Sequence, residues 1–369
     1  MAAKTPVWLD VDTGHDDVFA ILLTGHHPSL NLIGITSTHG NAATINTTAN
    51  TSSVLTAIGR KDVTVYPGTS HPFCRPEVDS PLSEIHGPTG LSGTTLIPPP
   101  EAPISKENAI LAMRNAIMST PPGTAWIVAT GSMTNPALCF AVFPEVASHI
   151  AGLSIMGGAV GGGFTDIETG TSVVIGKDGE EEAFGNETPW AEFNIYVDPE
   201  SARSIFINPV LANKTTLISL DLTHQCLATR KVREFLLHGA TGSPEGKEPS
   251  RLRRLNEEIL AHFASSYEEF FEMSRGPPLH DPLAVAAIFG FENDAIFPDD
   301  GARYSVSVVT AGEHGTSDEV RGQVGRTVVT KLPDGSSGGV RIPRKLNVDA
   351  FWKMLEQCYS IAEANGAML

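Results

Sequence analysis

The amino-acid sequence predicts an α/β protein built on an open, doubly wound and mostly parallel β-sheet. Apolar, β-rich runs alternate with helical patterns along the chain, which is typical of strand–helix–strand units in a parallel sheet. Polar residues are concentrated directly after four of the predicted strands, where ligands bind in sheets of this kind. With 369 residues, of which 41% are hydrophobic, the chain is long enough to bury a large core.

The predicted elements follow one another in chain order. Three strand–helix pairs come first, at 7–11 and 17–24, at 32–36 and 43–58, and at 125–129 and 135–143. Later strands are predicted at 153–156, 216–220, 304–309 and 325–330, and a short strand is predicted beside Glu192. Later helices are predicted at 199–206, 231–237, 252–273, 282–288 and 348–365.

We expect residues 1–369 to form a single domain with three long loops, at about 67–103, 157–189 and 239–250. All three are rich in glycine, together with proline and serine or with glutamate. Loops of this length are usually functional lids or mobile insertions.

The formal net charge of −17 disfavours nucleic acids and anionic membranes as partners, because both are polyanions. We see neither a signal peptide nor an apolar run of 18 residues, so no membrane span is expected. The four cysteines are scattered without metal-binding spacing and are expected to be reduced thiols. Together these features favour an intracellular, cytoplasmic protein.

The first chemical motif is acidic. Asp10, Asp12, Asp16 and Asp17 lie within eight residues, at the turn between the first strand and the first helix. Four carboxylates this close together repel one another unless a divalent cation or sugar hydroxyls offset the repulsion. In the alternative interpretation, Asp16 and Asp17 only favour the helix N-terminus, while Asp10 and Asp12 lie on a solvated loop.

A second group comprises Asn186, Glu192 and Asn194. Amides and a carboxylate can donate to and accept from a polyol, which sugar recognition requires. The same residue types are also common in solvated turns, and that interpretation stays open.

A third motif, at 280–282, opens an apolar helix with proline at its first turn. Asp281 could simply cap this helix. His280, with a reference pKa of about 6.5, could instead protonate a leaving group near neutral pH.

In this order the motifs resemble the inosine-uridine preferring nucleoside hydrolase family, from residue 7 to about 289. The resemblance rests on the acidic motif at 10–17, Thr-Gly-Ser-Met-Thr-Asn at 130–135, Met-Gly-Gly at 156–158 and Ala-Glu-Phe-Asn at 191–194. Thr13 stands where many members carry proline, but the spacing of the carboxylates is intact. The resemblance implies a Rossmann-like nucleoside hydrolase fold and hydrolysis of the N-glycosidic bond between ribose and a nucleobase.

The resemblance also implies a role for each matching residue. Ca²⁺ would be held by Asp12, Asp17, the backbone carbonyl of Thr134, and Asp281. Asp12 would take a proton from the metal-bound water, Asp16 would bind the ribose 2′-hydroxyl, and Asn41 would support this group. The remaining ribose contacts would come from Met156, Asn186, Glu192, Asn194 and Asp281.

Departure of the base would be assisted by His280, together with His86 from the first long loop. Purine-specific relatives stack the base between tryptophans, but neither 85–87 nor 252–280 contains one, which favours a uridine-preferring or broad specificity. Tyr267, Phe270 and Phe271 could contact the base or could belong to the core. Relatives are usually homodimers or homotetramers, so we expect a homo-oligomer.

Two other functions remain possible from the residues alone. Asp10 and Asp12 after a strand also fit the nucleophile motif of haloacid-dehalogenase-type phosphatases, but Lys106, Lys177 and the pair at 299–300 lie in poor contexts for the other roles. A non-catalytic nucleoside-binding protein of the same fold would use the carboxylates only to hold its ligand.

Overall fold

A computed structural model describes residues 3–77, 83–166, 173–176, 179–182, 184–240, 248–292, 295–314 and 322–368. A six-stranded sheet has the spatial order β3-β2-β1-β4-β5-β8, and neighbouring strands pair in parallel. Its strands are β1 (Thr5–Val11), β2 (Leu30–Ser37), β3 (Val65–Pro67), β4 (Trp126–Ala129), β5 (Gly152–Met156) and β8 (Thr215–Ile218). The predicted doubly wound α/β fold is confirmed.

Two antiparallel hairpins lie outside this sheet. They pair β6 (Val173–Gly176) with β7 (Gly179–Glu182), and β9 (Tyr304–Val308) with β10 (Thr327–Lys331). The helices up to residue 149 are α1 (Asp17–His26), α2 (Thr44–Ala57), α3 (Ser83–His86), α4 (Ala109–Met118), α5 (Thr134–Val142) and α6 (Glu145–His149). Those that follow are α7 (Phe193–Val197), α8 (Pro199–Phe206), α9 (Pro209–Ala212), α10 (Leu220–Thr223), α11 (Arg230–His238), α12 (Arg251–Phe271), α13 (Asp281–Ala286) and α14 (Val348–Ala364).

Both faces of the sheet are buried, and β1 shows why. Its side chains alternate between two apolar clusters, with Val7, Leu9 and Val11 in one and Trp8 in the other. A strand covered on both faces is mostly apolar, and the sequence of β1 is continuously apolar from Pro6 to Leu9, before Asp10 near its end. Trp8 also requires Gly34 on the neighbouring strand, since a Cβ there would lie 2.4 Å from the indole ring.

The predicted short strand beside Glu192 is wrong. Residues 193–197 form helix α7, because the Glu192 carboxylate accepts hydrogen bonds from the amides of Asn194 and Ile195 and caps the helix. Helix α4 was not predicted, although Asn108 caps it in the same way. The short strand β3, inside an apparently irregular segment, was also missed.

The acidic motif lies at the point where the strand order of the sheet reverses. Strands β2 and β3 lie on one side of β1, and β4, β5 and β8 lie on the other, so the switch point lies between β1 and β4. Asp10 pairs with Ala129 at the ends of these two strands. Residues that follow β1 and β4 therefore meet at the crevice where such sheets bind ligands.

Helix α12, which contributes one wall of this crevice, is anchored at its N-terminal end by Arg253. The buried guanidinium contacts Glu356 at 3.1 Å and Glu363 at 2.9 Å, both on α14, and donates to the carbonyl of Leu236 on α11. It also lies 5.2 Å from the ring centroid of Tyr359. A single side chain thus joins three helices.

No helix in the described ranges has the length and apolarity needed to cross a membrane.

We expect Arg253→Met to lower the free energy of unfolding by roughly 3 kcal/mol, because it leaves the buried Glu356 carboxylate without its partner. Urea unfolding followed by circular dichroism measures this change. The matched control is Arg230→Met, which removes an exposed ion pair within α11 and should cost about 0.5 kcal/mol or less. Equal losses in the two variants would contradict the anchoring role.

Candidate active site

The acidic motif forms a buried cluster at the switch point. Carboxylate oxygens of Asp16, Asp17 and Asp281 lie within 4.8 Å of one another, and all three residues are buried. Asp12 is also buried, with 1% of its surface exposed, and it interacts with Asp17. The solvated-loop interpretation of Asp12 is therefore wrong, and Asp281 joins the cluster from the far end of the chain.

Asp12 is enclosed by backbone. Its Oδ2 accepts the amide of Asn41 at 2.9 Å, while its Oδ1 is buried and has no hydrogen-bond partner among the described residues. A Cβ on Gly40 would lie 2.0 Å from Oδ2, and one on Gly131 would lie 2.9 Å from Oδ1. The two glycines allow the neighbouring loops to close on this carboxylate.

Asp281 does not cap its helix. Helix α13 begins at Asp281 with His280 at the N-cap position, and no side chain makes a capping hydrogen bond there. The purely structural interpretation of Asp281 is therefore wrong. Because the helix starts one residue earlier than a cap at Asp281 would allow, the carboxylate is directed to Asp16 and Asp17 instead.

Burial raises the pKa of each carboxyl group in the cluster, and repulsion from neighbouring carboxylates adds to the shift at Asp12, Asp16 and Asp281. Burial is the larger cause, followed by repulsion from Asp17, and together they raise the pKa of Asp16 to about 7. The same two causes place the pKa of Asp12 well above its usual value, and Asp281 is shifted in the same direction by burial and Asp16. A cluster of this kind retains protons at neutral pH unless a cation offsets the repulsion.

Thr134 is not brought into this group. It begins helix α5, where a carbonyl accepts within the helix, and its hydroxyl donates to Asp198. Thr130 occupies the expected place instead: it lines the pocket and its hydroxyl donates to Asp17 at 2.7 Å. The signal was available in the sequence, because Thr130 is the first residue after the predicted strand ending at 129.

The residues expected to bind ribose form the next wall of the same pocket. The Glu192 carboxylate accepts the amides of Gly158, Asn194 and Ile195 at 2.8–3.1 Å, and burial raises its pKa to about 7. Asn194 donates to the carbonyls of Thr130 and Met156. Besides these residues, Asp16, Asn41 and Asn186 also line the pocket. The solvated-turn interpretation of Glu192 and Asn194 is wrong, since both are buried.

His280 lies on the opposite wall and is held from both sides. Its Nδ1 is 2.7 Å from the hydroxyl of Thr223, and its Nε2 is 2.8 Å from the hydroxyl of Tyr267. Burial lowers the pKa of His280 well below 6.5, so the ring is neutral at neutral pH. The ordinary pKa assumed from the sequence therefore does not apply, and the hydrogen-bond chain decides which nitrogen carries the proton.

His86 completes this wall from the short helix α3. Burial lowers its pKa well below 6.5 as well. Apolar side chains surround the two histidines in the pocket lining: Ile85, Phe193, Phe263 and Tyr267. Sequence reasoning singled out Tyr267 but missed Phe263, which lies one helical turn earlier on α12, while Phe270 is 39% exposed and Phe271 packs against the adjoining apolar cluster.

The pocket therefore has two chemically different ends, one lined by carboxylates and amides and the other by aromatic rings and imidazoles. The sequence profile described as inosine-uridine preferring nucleoside hydrolase matches residues 7–353. The chain belongs to this family.

Individual relatives support the same assignment. The chain is 34% identical to a uridine nucleosidase of Saccharomyces cerevisiae, over 98% of this chain and 97% of the relative. It is 34% identical to a pyrimidine-specific ribonucleoside hydrolase of Citrobacter koseri, over 76% of this chain and 78% of the relative. The solved structure of a purine-preferring ribonucleoside hydrolase from Gardnerella vaginalis matches with a TM-score of 0.76 and 25% identity, over 97% of this chain and 99% of that one.

As a nucleoside hydrolase, the chain is an enzyme that acts on nucleosides, so neither alternative function holds. The phosphatase alternative required an acidic pair with a catalytic role. Asp299 instead forms an ion pair with Arg341 at 3.1 Å, next to a groove remote from the acidic cluster. The binding-protein alternative fails because the family and its named relatives are hydrolases.

We expect Asp281→Asn to stabilise the metal-free enzyme at pH 8 by ~1 kcal/mol or more. An acid whose folded pKa is raised contributes its full destabilisation above that pKa, and the amide removes the repelling charge. Urea unfolding in the presence of a chelator measures the effect, with the exposed Asp334→Asn as control, which should leave the stability essentially unchanged. A less stable Asp281→Asn variant would mean that its carboxylate is not repelled in the fold.

Proposed function

We propose that this nucleoside hydrolase cleaves the N-glycosidic bond of ribonucleosides at a calcium centre, with a preference for uridine or a broad range of bases. One observation carries the proposal: three buried carboxyl groups, those of Asp16, Glu192 and Asp281, line a single pocket together with two neutral histidines, His86 and His280. N-glycosidic cleavage builds positive charge on the ribose and negative charge on the leaving base. The end of the pocket lined by carboxylates suits the positive charge on the ribose, and the end with the histidines can donate a proton to the negatively charged base.

The donor set supports a hard divalent cation. Every group in the cluster is an oxygen donor, and the buried Oδ1 of Asp12 lacks a partner in the described part of the chain. We assign the cation to Asp12, Asp17 and Asp281, with Thr130 in the place first given to Thr134. When bound, Ca²⁺ would lower the pKa of a nucleophilic water.

Two carboxylates then have distinct tasks. Asp12 is suited to take the proton from the attacking water, because its pKa is raised and its Oδ1 is available. Asp16 lines the pocket and is assigned to the ribose 2′-hydroxyl. Glu192, Asn186 and Asn194 would hold the remaining sugar oxygens, with the Glu192 carboxylate oriented by three backbone amides.

Tyr267 and His280 together can supply a proton to the departing base. The Thr223 hydroxyl can donate to Nδ1 of His280, which places the ring proton on Nε2. His280 then donates to the oxygen of Tyr267, and the hydroxyl proton of Tyr267 is free to face the pocket. As that proton passes to the base, Tyr267 takes the Nε2 proton of His280, and Nδ1 of His280 takes the hydroxyl proton of Thr223. A solvent proton then restores Thr223, in place of the proton that Asp12 removes from water and releases. His86 would act on the same base from the opposite side.

The base pocket supports uridine or broad specificity rather than strict purine selection. No tryptophan is present among the described residues that line it, so the base meets Ile85, Phe193, Phe263 and Tyr267. These side chains offer apolar contact without a tight aromatic sandwich. A uridine nucleosidase and a pyrimidine-specific hydrolase are among the similar proteins.

We expect exhaustive chelation to abolish ribose release from uridine, cytidine, inosine and adenosine, and added Ca²⁺ to restore it. At about 100 times its Kd, Ca²⁺ should also stabilise the folded enzyme by ~2.7 kcal/mol. Steady-state assays of free ribose across the four nucleosides measure both the metal requirement and the base preference. Full activity in the metal-free enzyme would contradict the calcium assignment, and strict selectivity for purines would contradict the specificity assignment.

We expect His280→Ala to lower kcat for uridine and inosine by about 10²- to 10⁴-fold, the range typical of general acid catalysis. Tyr267→Phe should lose a comparable factor, because it removes the hydroxyl that relays the proton. Both variants should keep the Ca²⁺-dependent thermal shift of the parent enzyme, which serves as the folding control. Unchanged kcat in His280→Ala would remove this residue from the mechanism.

A further inference from the structure

His15 lies within the acidic motif, between Gly14 and Asp16, yet its side chain takes part in none of the roles assigned above. The ring is fully buried and contacts His86 and Phe263, which line the base end of the pocket. It stacks on Phe263, with ring centroids 5.6 Å apart and planes inclined by 2°, and on His262 at 5.1 Å. This packing fixes the plane of the imidazole ring.

One hydrogen bond defines the protonation of the His15 ring. Nε2 lies 2.9 Å from the carbonyl oxygen of Ser92. A carbonyl can only accept, so Nε2 carries the proton and Nδ1 of the neutral ring presents a lone pair. That lone pair is directed at His86, because the two Nδ1 atoms are 3.0 Å apart.

Nδ1 of His86 has two possible hydrogen-bond partners on His15, a donor and an acceptor. The backbone amide of His15, at 3.1 Å, donates when that nitrogen is bare. The ring of His15 accepts when the same nitrogen carries a proton. Nδ1 of His86 is therefore hydrogen-bonded in either state, and Nε2 is left for the pocket.

The close approach of the His15 and His86 rings requires glycine at position 14. A Cβ there would lie 2.5 Å from Nδ1 of His86, closer than any side chain tolerates. The acidic motif at 10–17 thus supplies the carboxylates and, through Gly14 and His15, also positions His86.

We propose that His15 is a positioning residue whose Nδ1 holds the Nδ1 proton of His86, so that His86 presents its second proton to the leaving base from Nε2. The inference rests on the proposed role of His86 in hydrolysis. In the step itself, the resting, neutral His86 first takes a solvent proton at Nε2, and that N–H bond then breaks as an N–H bond forms on the base. His86 returns to its neutral form and keeps its Nδ1 proton, donated to His15, while the proton that Asp12 took from water is released to solvent and replaces the one that Nε2 took.

Two isosteric substitutions separate this role from a purely structural one. In His15→Asn, the side-chain oxygen can occupy the position of Nδ1 and keep the acceptor for His86, but the contact with Ser92 is lost. In His15→Gln, the side-chain amide can reach Ser92 and keep that contact, but the acceptor is lost. His26→Gln is the matched control, because Nε2 of the buried His26 contacts the carbonyl of Ile58 in the same manner, away from the site.

We expect His15→Gln to lower kcat for uridine by at least ~10²-fold, the loss also expected of His86→Ala, since general acid assistance is worth that much. KM should stay within about 2-fold of the parent value, and the Ca²⁺-dependent thermal shift should stay within about 2 °C of it. His15→Asn should retain kcat within about 10-fold of the parent, and His26→Gln should leave it unchanged. With 4-nitrophenyl riboside, whose leaving group departs without a proton, the loss in His15→Gln should be much smaller.

The opposite ranking, in which His15→Gln is active and His15→Asn is not, would overturn the inference and assign His15 only to holding the Ser92 loop. Equal losses on both substrates would overturn it as well. If His86→Ala itself kept full activity on uridine, the proposed role of His86 would fail first, and His15 would have no proton to hold. The His86→Ala variant thus distinguishes the two failures.

Discussion

The burial of like-charged carboxyl groups at one edge of the sheet is the constraint on which the site depends. Asp12, Asp16, Asp17 and Asp281 are withdrawn from water, so burial disfavours the ionised form of each, and repulsion adds to this at Asp12, Asp16 and Asp281. Amides and hydroxyls of the surrounding loops stabilise these groups only in part. The remaining cost is tolerated because the core strands beneath hold the loops in place, and the proposed cation would offset it.

The same architecture explains why the pocket has two ends. Residues after β1 and β4 meet at the switch point and supply charge, whereas α3 and α12 cover the opposite side with aromatic rings and neutral imidazoles. Charge would be unfavourable among those rings, and burial keeps the histidines uncharged. Nucleoside hydrolysis needs this division, because sugar and base develop opposite charges as their bond breaks.

Several short-range features could be predicted from the sequence because they depend on neighbouring residues. The alternation of strands and helices, the position of the acidic motif after β1 and the apolar start of α13 all follow from local patterns. The errors arose where side chains make local bonds that the pattern does not display. The Glu192 side chain caps α7, so a segment predicted as a strand is a helix. Thr134 was expected to lie at the acidic cluster, but Thr130, directly after β4, lies there instead.

The sequence by itself determined which carboxylates share the first turn and, through the order of its motifs, the family to which the chain belongs. Only the tertiary structure decided that Tyr267 is bonded to His280 and that His15 meets His86. The physical reason is the range of the interactions. Spacing along a chain encodes contacts within a turn, but contacts between distant segments exist only after the sheet and its covering helices have packed.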